Sequence, residues 1–155
     1  MGESIGKKKN RDDQEVRTGI VPMVSIGSTD LHSMAQLYFG GPRNIFHTFL
    51  NSPITETVTT PNKRLFDGVT PMIDGVKNDR LMNSILEGTQ LALVGNEIPF
   101  VNVTLEEISE YSLGEYLQFK MMEIMYLAEL MNLNAFDQPS VEDYKIETKR
   151  ILAEG

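Results

Sequence analysis

Three polar side chains lie where residues of their types can act on a bound molecule. His32 stands in "STDLHS", early in a segment whose apolar residues recur at helical spacing. Gln138 falls on a turn predicted at residues 137–139, and Lys145 falls in the second turn of the helix predicted after it. An imidazole can pass protons near pH 7, whereas an amide and an ammonium group donate hydrogen bonds. These residue types raise two possibilities, proton transfer and ligand binding.

The local positions of His32 and Lys145 sharpen this interpretation. The helix that carries His32 is predicted to start at the carboxyl end of a strand, where backbone amides favour a neutral imidazole that can relay protons. A histidine at a helix start often only caps the helix, so that alternative stays open. Lys145 follows a capping box of Ser140 and Asp143 and lies towards the positive end of the helix dipole. We therefore expect Lys145 to gain nothing from its helix and to serve a partner outside it.

The composition excludes several classes of function. The 155-residue chain has a formal net charge of −8 and no cysteine. This acidity argues against nucleic acid or an anionic membrane as a partner, and the lack of cysteine excludes disulfides and thiolate chemistry. The basic run "KKKNR" (7–11) stands beside acidic residues and is interpreted as a solvated loop, with a polyphosphate or nucleic-acid patch as the alternative. No apolar stretch reaches the roughly 18 residues of a membrane helix, so a cytoplasmic protein is predicted.

Apolar residues alternate between strand-like and helix-like spacing along the chain. The predicted strands cover residues 19–28, 44–50 and 98–105, and the predicted helices cover residues 29–41, 79–95, 112–134 and 141–153. Residues 52–76 are rich in proline and glycine and are predicted to form a long loop with a short strand-like piece. The pattern therefore places a helix after each of the three strands.

This order predicts the α/β fold class. Parallel neighbours need crossover connections, so we expect a three-layer αβα sandwich with a mostly parallel sheet and an additional C-terminal helix, in one domain over residues 1–155. The nearly all-apolar third strand is expected to be covered on both faces. Ligands bind such folds at the carboxyl ends of the strands. That rule selects the loops at residues 28–30 and 104–106, and the helix start at residue 140 if it packs nearby.

The methionines and histidines have simpler interpretations. Four methionines of the long predicted helix segment could line a soft binding groove, but such residues usually fill a core, and we predict a core role for them (Met121, Met122, Met125 and Met131). His32 and His47 are 15 residues apart, without cysteines or paired carboxylates at ligand spacing, so no metal site is predicted. His47 is interpreted as an ordinary strand residue.

Three ordered segments resemble one known family. They are "GESIGK" (2–7), "STDLHS" (28–33) and "FDQPSVEDYK" (136–145), and they resemble the signature segments of glucose-6-phosphate isomerase, in the same order and at comparable spacing. The connecting "ILEGTQLALVGNEIPFVNVTLEEISEYSLGEYL" is similar to the bacterial form of that family. The resemblance covers essentially the whole chain but only about the last third of the family's length. It implies a fold of the sugar-isomerase (SIS) type.

The resemblance implies a role for four residues. Glu3 matches the catalytic base, which moves a proton between C2 and C1 of the open-chain sugar through a cis-enediol intermediate. His32 matches the histidine that assists ring opening and reaches the site from the partner subunit of a dimer. Lys145 matches the lysine that contacts the sugar oxygens during ring opening, and Gln138 matches a substrate-binding glutamine. No metal or organic cofactor is implied.

Some features depart from the family pattern. Ser140 stands where bacterial members usually have glycine, and "FGGPRN" (39–44) replaces a "GRR"-like stretch. Both positions lie in loops or caps and leave the assigned chemistry intact. The family binds the phosphate group, and stabilises the enediolate with an arginine, from an upstream domain that is absent from these residues. Glu3 is also close to the start of the sequence, where a frayed, solvated carboxylate is the alternative interpretation.

These considerations lead to one expected function. The chain is expected to be the C-terminal SIS-type part of an enzyme of glycolysis and gluconeogenesis that interconverts glucose 6-phosphate and fructose 6-phosphate, is a homodimer at full length, and is inactive or nearly so as this part alone. A non-catalytic regulatory module that binds sugar phosphates is the alternative from another class. The isomerase half of a transaldolase-linked fusion, or an α/β domain of unknown role, would also fit the pattern.

Overall fold

The computed structural model describes residues 1–55, 57–61 and 73–154. In chain order the elements are α1 (Gly2–Ile5), β1 (Lys7–Lys9), β2 (Glu15–Thr18), α2 (Thr29–Gly40), β3 (His47–Asn51), α3 (Asn78–Gly95), β4 (Phe100–Thr104), α4 (Glu110–Leu130) and α5 (Val141–Glu154). They form two compact units: one combines Met1–Val24 with Leu113–Gly155, and the other is Ser25–Ser112. About half of the predicted loop at residues 52–76, namely residues 56 and 62–72, lies outside the described residues.

The unit Ser25–Ser112 is built on a parallel pair of strands. β3 and β4 pair in parallel from His47 opposite Phe100 to Asn51 opposite Thr104, and α3 lies between them in the sequence. A parallel pair needs such a crossover, and the strands are reinforced by an edge-to-face contact of Phe49 with Phe100 at 5.5 Å between ring centroids. The α/β class with parallel strands and a C-terminal helix is therefore confirmed, and in the part of the chain that the structure describes the parallel sheet has two strands.

The predicted strand at residues 19–28 is wrong. These residues form no strand, and Val21 and Val24 are 86% and 93% exposed. An apolar run forms a strand only where a partner accepts its backbone hydrogen bonds, and Pro22 has no N–H group to contribute. β2 instead ends at Thr18, and it pairs with β1 in a separate antiparallel hairpin.

The expectation that the third strand is covered on both faces is also wrong for this chain. β4 lies within the predicted strand at residues 98–105, but Val101 is 42% exposed and Asn102 and Thr104 are exposed as well. Leu93 at the end of α3 and Ile98 before β4 are the buried apolar side chains among the described residues of this unit. A two-stranded sheet leaves both strands at an edge, so the side chains of β4 have few neighbours to cover them.

The other unit is organised around the end of α4. Ile5, Ala128 and Leu133 are almost completely buried and pack together, with partly buried apolar neighbours around them (Met1, Ile124, Met131 and Ala135). The hairpin turn binds the same region, because the backbone N–H of Arg11 donates to the carbonyl of Asn132 at 2.9 Å. This core ties the first residues of the sequence to the segment that follows α4.

The methionine prediction is largely wrong. Met121, Met122 and Met125 are each at least 40% exposed, and only Met131 contacts the buried cluster. Helical spacing identifies an apolar face but does not show what covers it. Part of the apolar face of α4 is therefore open in this structure.

Candidate active site

The site begins with α1, a single helical turn that presents Glu3. The backbone N–H of Ile5 donates to the Met1 carbonyl at 3.1 Å, and the N–H of Gly6 donates to the Gly2 carbonyl at 3.0 Å. The Ile5 side chain is fully buried and anchors the turn. A Cβ atom at Gly6 would lie 2.6 Å from the Gly2 carbonyl oxygen, so glycine is required at the end of this turn. Glu3 is therefore exposed, on a turn that is held by backbone hydrogen bonds and by the buried Ile5 side chain.

Gln138 reaches the site from the turn between α4 and α5. The backbone N–H of Phe136 donates to the Asn134 side chain at 3.0 Å, and the N–H of Val141 donates to the Gln138 carbonyl at 3.1 Å. These bonds fold the segment back on itself before α5 begins at Val141. The turn thus holds the Gln138 side chain on the same unit as Glu3.

Glu3 and Gln138 are in direct contact. The Gln138 amide donates from Nε2 to Glu3 Oε1 at 2.6 Å, although the two residues are 135 positions apart. Among the described residues, Glu3 Oε2 has no hydrogen-bond partner. A neutral amide can fix the orientation of a carboxylate without neutralising it, and it leaves the second oxygen available. The pair can therefore offer one oriented carboxylate oxygen to a proton on a ligand.

Lys145 lies on α5 and is held by a neighbour on the same helix. Its Nζ is 2.7 Å from Oε1 of Glu142, and both side chains are substantially exposed. A glutamate three residues before a lysine is a favourable arrangement on a helix. The expectation that Lys145 gains nothing from its helix is therefore wrong, since part of its stabilisation is local.

His32 belongs to the other unit. It is exposed near the start of α2, and the cap position of that helix is Ser28. The preceding turn is closed by Asp30, whose Oδ2 accepts the Ile26 backbone N–H at 2.6 Å. Contacts within one unit thus bring Glu3 and Gln138 together, whereas the roles of His32 and Lys145 stay predictions.

The structure adds an ion pair that sequence reasoning missed. Nζ of Lys7 is 2.7 Å from Oδ1 of Asp137 and also donates to the Asp137 backbone carbonyl. The Lys7 side chain is only 5% exposed. The hydrogen bond from Lys7, followed by its positive charge, holds the pKa of the Asp137 carboxyl below its usual value. The interpretation of "KKKNR" as a solvated loop is thus wrong for Lys7. The sequence contained one signal for this ion pair, because Lys7 and Asp137 carry opposite charges and lie in two of the three motifs.

The described residues contain no group of three or more histidine, cysteine, aspartate or glutamate side chains placed to hold a metal ion. In the same part of the chain, none of the helices is long and apolar enough to cross a membrane.

Comparisons with known proteins show what the chain is similar to. No family model matches the chain. Proteins named glucose-6-phosphate isomerase match it in Methanocaldococcus jannaschii, with 32% identity over 94% of this chain and 33% of the relative, and in Carboxydothermus hydrogenoformans, with 34% identity over 98% and 33%. The crystal structure of a hypothetical protein from Thermus thermophilus is 32% identical, has a TM-score of 0.83, and is matched over 98% of this chain and 36% of that one.

These matches relate the chain first to a class of protein and then, more particularly, to proteins of one name. By sequence, the chain is related to proteins named as isomerases, and its fold is that of an α/β protein. More particularly, it is a homologue of glucose-6-phosphate isomerase, which confirms the resemblance of the three motifs. The chain spans about one third of the length of the curated relatives that it matches.

Proposed function

We propose that this chain contributes the catalytic base of a glucose-6-phosphate isomerase, which interconverts glucose 6-phosphate and fructose 6-phosphate. The observation that carries the proposal is the hydrogen bond from Gln138 Nε2 to Glu3 Oε1. It joins two motifs from opposite ends of the sequence, and each motif supplies one of the residues to which the resemblance assigns a role. The homology to proteins of that name supports the same reaction.

In the proposed reaction Glu3 transfers a proton between two neighbouring carbons. Its carboxylate removes the proton from C2 of the open-chain aldose, and the electrons of the broken C–H bond form the double bond of a cis-enediol as the C1 carbonyl oxygen gains a proton. Return of a proton to C1, with loss of the O2 proton, gives the ketose. General-base catalysis of this kind contributes about 10²- to 10⁴-fold. Gln138 orients Glu3 and contacts the substrate.

The other two residues act on oxygen atoms. Lys145 contacts the ring or hydroxyl oxygens while the pyranose opens, and His32 of one subunit assists ring opening in the site of its partner. A cation and an imidazole suit these roles, because both can stabilise or relay charge that develops on oxygen. The proposed enzyme is a cytoplasmic homodimer that needs no metal or organic cofactor and binds neither nucleic acid nor membrane.

The activity is proposed to need more than these residues. The chain matches about one third of the length of its relatives. The family resemblance assigns phosphate binding to the remaining two thirds. Turnover by the 155-residue chain alone is therefore expected to be absent or very low. Joined to those segments, it should act as an isomerase.

A hybrid enzyme tests this function. In it, the present chain replaces the matching third of the Methanocaldococcus jannaschii relative, and conversion of glucose 6-phosphate to fructose 6-phosphate is followed in a coupled assay. We expect turnover in the hybrid and a loss of at least about 100-fold in kcat with Glu3→Gln.

The matched control is Glu15→Gln, which alters an exposed carboxylate on β2 and should leave kcat unchanged. A folded hybrid without turnover would contradict the function. Turnover that survives Glu3→Gln would contradict the assignment of the base.

A further inference from the structure

The Lys7–Asp137 ion pair lies beside both residues of the candidate site. Lys7 is four positions after Glu3, and Asp137 is directly before Gln138. One ammonium group holds two acceptors of Asp137, its carboxylate and its backbone carbonyl. The carbonyl belongs to the peptide group that joins Asp137 to Gln138. A single side chain therefore ties the segment that carries the base to the backbone that carries the amide.

The burial of Lys7 shows that this contact fixes positions. Its side chain is 5% exposed, whereas that of Asp137 is 51% exposed. A buried ammonium group without partners is strongly unfavourable, so the fold keeps Asp137 within reach of Lys7. Because Lys7 also pairs with Thr18 in the hairpin, its backbone has little freedom to follow a moving turn.

The same strand provides a contrasting ion pair. Lys9 Nζ is also 2.7 Å from a carboxylate oxygen, that of Asp13, but these side chains are 51% and 83% exposed. Asp13 lies within the same hairpin, so this pair connects no second segment. Exposed pairs of this kind contribute little to stability. The two pairs match in chemistry and distance and differ in burial and in what they join.

We infer that Lys7 and Asp137 are positioning residues that hold the Gln138 amide against Glu3 and thereby orient the carboxylate for catalysis. The catalytic consequence rests on the proposed function, but the positional one does not. Neither residue needs to touch the substrate. Loss of the pair lets the turn at residues 137–139 shift relative to α1, and a displacement of about 1 Å at a catalytic group can lower a rate by about 100-fold.

The first experiment measures the position of the Gln138 side chain relative to Glu3 and does not depend on enzymatic activity. In the full chain, isotope-edited NMR detects the nuclear Overhauser effect between the side-chain amide protons of Gln138 and the Hγ protons of Glu3. We expect this effect to be lost in Lys7→Met and retained in Lys9→Met. Its retention in a folded Lys7→Met chain would overturn the inference.

The second experiment measures kcat and KM in the hybrid enzyme. Asp137→Asn should lower kcat by about 10- to 100-fold and change KM by less than about 3-fold, whereas Asp13→Asn should change neither. The Lys7→Met and Asp137→Asn effects should not multiply in the double variant, because both remove one interaction.

The two experiments separate the possible failures. If the unmodified hybrid is inactive, the proposed function fails and the NMR result alone decides the positioning role. If the hybrid is active but the kcat values of the Asp137→Asn and Asp13→Asn variants are equal, the positioning role fails and the proposed function stands. Should Lys7→Met prevent folding, the Asp137→Asn comparison decides. Where Lys7→Met folds, multiplicative effects in the double variant would also overturn the inference.

Discussion

At the residue scale, the ammonium group of Lys145 already has a partner. Glu142 lies 2.7 Å away on the same helix, so a sugar oxygen has to compete with a carboxylate for that group. An exposed pair three residues apart is worth only a few tenths of a kcal/mol, about 0.2–0.5. Such a weak pair can be exchanged for a ligand, and the pair is therefore compatible with the proposed role of Lys145.

Glu142→Gln tests this competition. Removing the carboxylate should lower KM for the sugar phosphate in the hybrid enzyme by about 2-fold, because Lys145 loses its local partner at a free-energy difference of about 0.2–0.5 kcal/mol. Steady-state kinetics measures the change, and urea unfolding of the chain should shift by no more than that energy.

Glu147→Gln is the matched control. It removes a partner of Arg150 on the same helix at 2.9 Å and should leave KM unaltered. An equal change of KM in both variants would mean that only the overall charge of α5 matters.

The residue scale also shows what the sequence can and cannot predict. The residue types of Glu3 and Gln138 were recognisable from their motifs, but their contact was not, since 135 positions separate them. The sequence predicts that Lys7 is exposed to solvent, because a basic run is usually solvated. The burial of Lys7 depends on where Asp137 lies in three dimensions, and no local sequence pattern predicts that position.

At the element scale, α1 depends on one buried side chain. A turn of four residues is too short to be stable by itself, because nucleation of a helix is unfavourable. Ile5 supplies the stability through its contacts with Ala128 and Leu133. The position of Glu3 is therefore set by packing rather than by helix propensity.

Ile5→Ala should lower the free energy of unfolding by about 2–5 kcal/mol, since it leaves a cavity in this core. Denaturant unfolding of the chain measures the loss. Val24→Ala is the control: Val24 is 93% exposed, and its truncation should change the stability by less than about 0.5 kcal/mol. Similar losses in the two variants would contradict the anchoring role of Ile5.

β3 contains a histidine whose burial makes the stability depend on pH. His47 packs edge-to-face on Tyr38 at 5.0 Å between ring centroids, and its Nε2 is buried with no hydrogen-bond partner among the described residues. Burial lowers the pKa of His47 from its ordinary value of 6.5. The folded state thus prefers the neutral ring, and the stability this contributes is present above pH 6.5 and lost as the pH falls through the lowered pKa.

His47→Phe should flatten this part of the pH dependence, because phenylalanine keeps a ring against Tyr38 and does not titrate. Urea unfolding between about pH 7.5 and 5 measures the difference from the unaltered chain. His32→Gln, which changes an exposed histidine, should leave the dependence intact. An identical pH profile for His47→Phe and the unaltered chain would show that His47 is not the group responsible.

The elements differ in how well the sequence predicted them. α3 and α5 are close to their predicted bounds because both have helical spacing and a clear start signal. The predicted strand at residues 19–28 was wrong, since strand formation depends on a partner that local spacing does not reveal. The parallel pairing of β3 with β4 followed from the intervening helix, which is a local signal.

At the scale of the whole molecule, α4 exposes apolar side chains, and the chain matches only part of each relative. Met121, Met122 and Met125 are exposed on α4, and the chain spans about one third of the isomerases it matches. The core prediction failed for these methionines because helical spacing does not show what covers an apolar face. Under the proposed function, the remaining two thirds of the enzyme cover such surfaces and supply the phosphate site.

Transfer of solvent deuterium in the hybrid enzyme tests the central claim most directly. A proton held by Glu3 can exchange with solvent, so turnover in D₂O should place deuterium at C1 of fructose 6-phosphate and at C2 of recovered glucose 6-phosphate. ¹H NMR of the sugar phosphates measures both positions, and Glu3→Gln should abolish the incorporation. Turnover in which every C2 hydrogen is retained in the product, or incorporation that survives Glu3→Gln, would contradict the account.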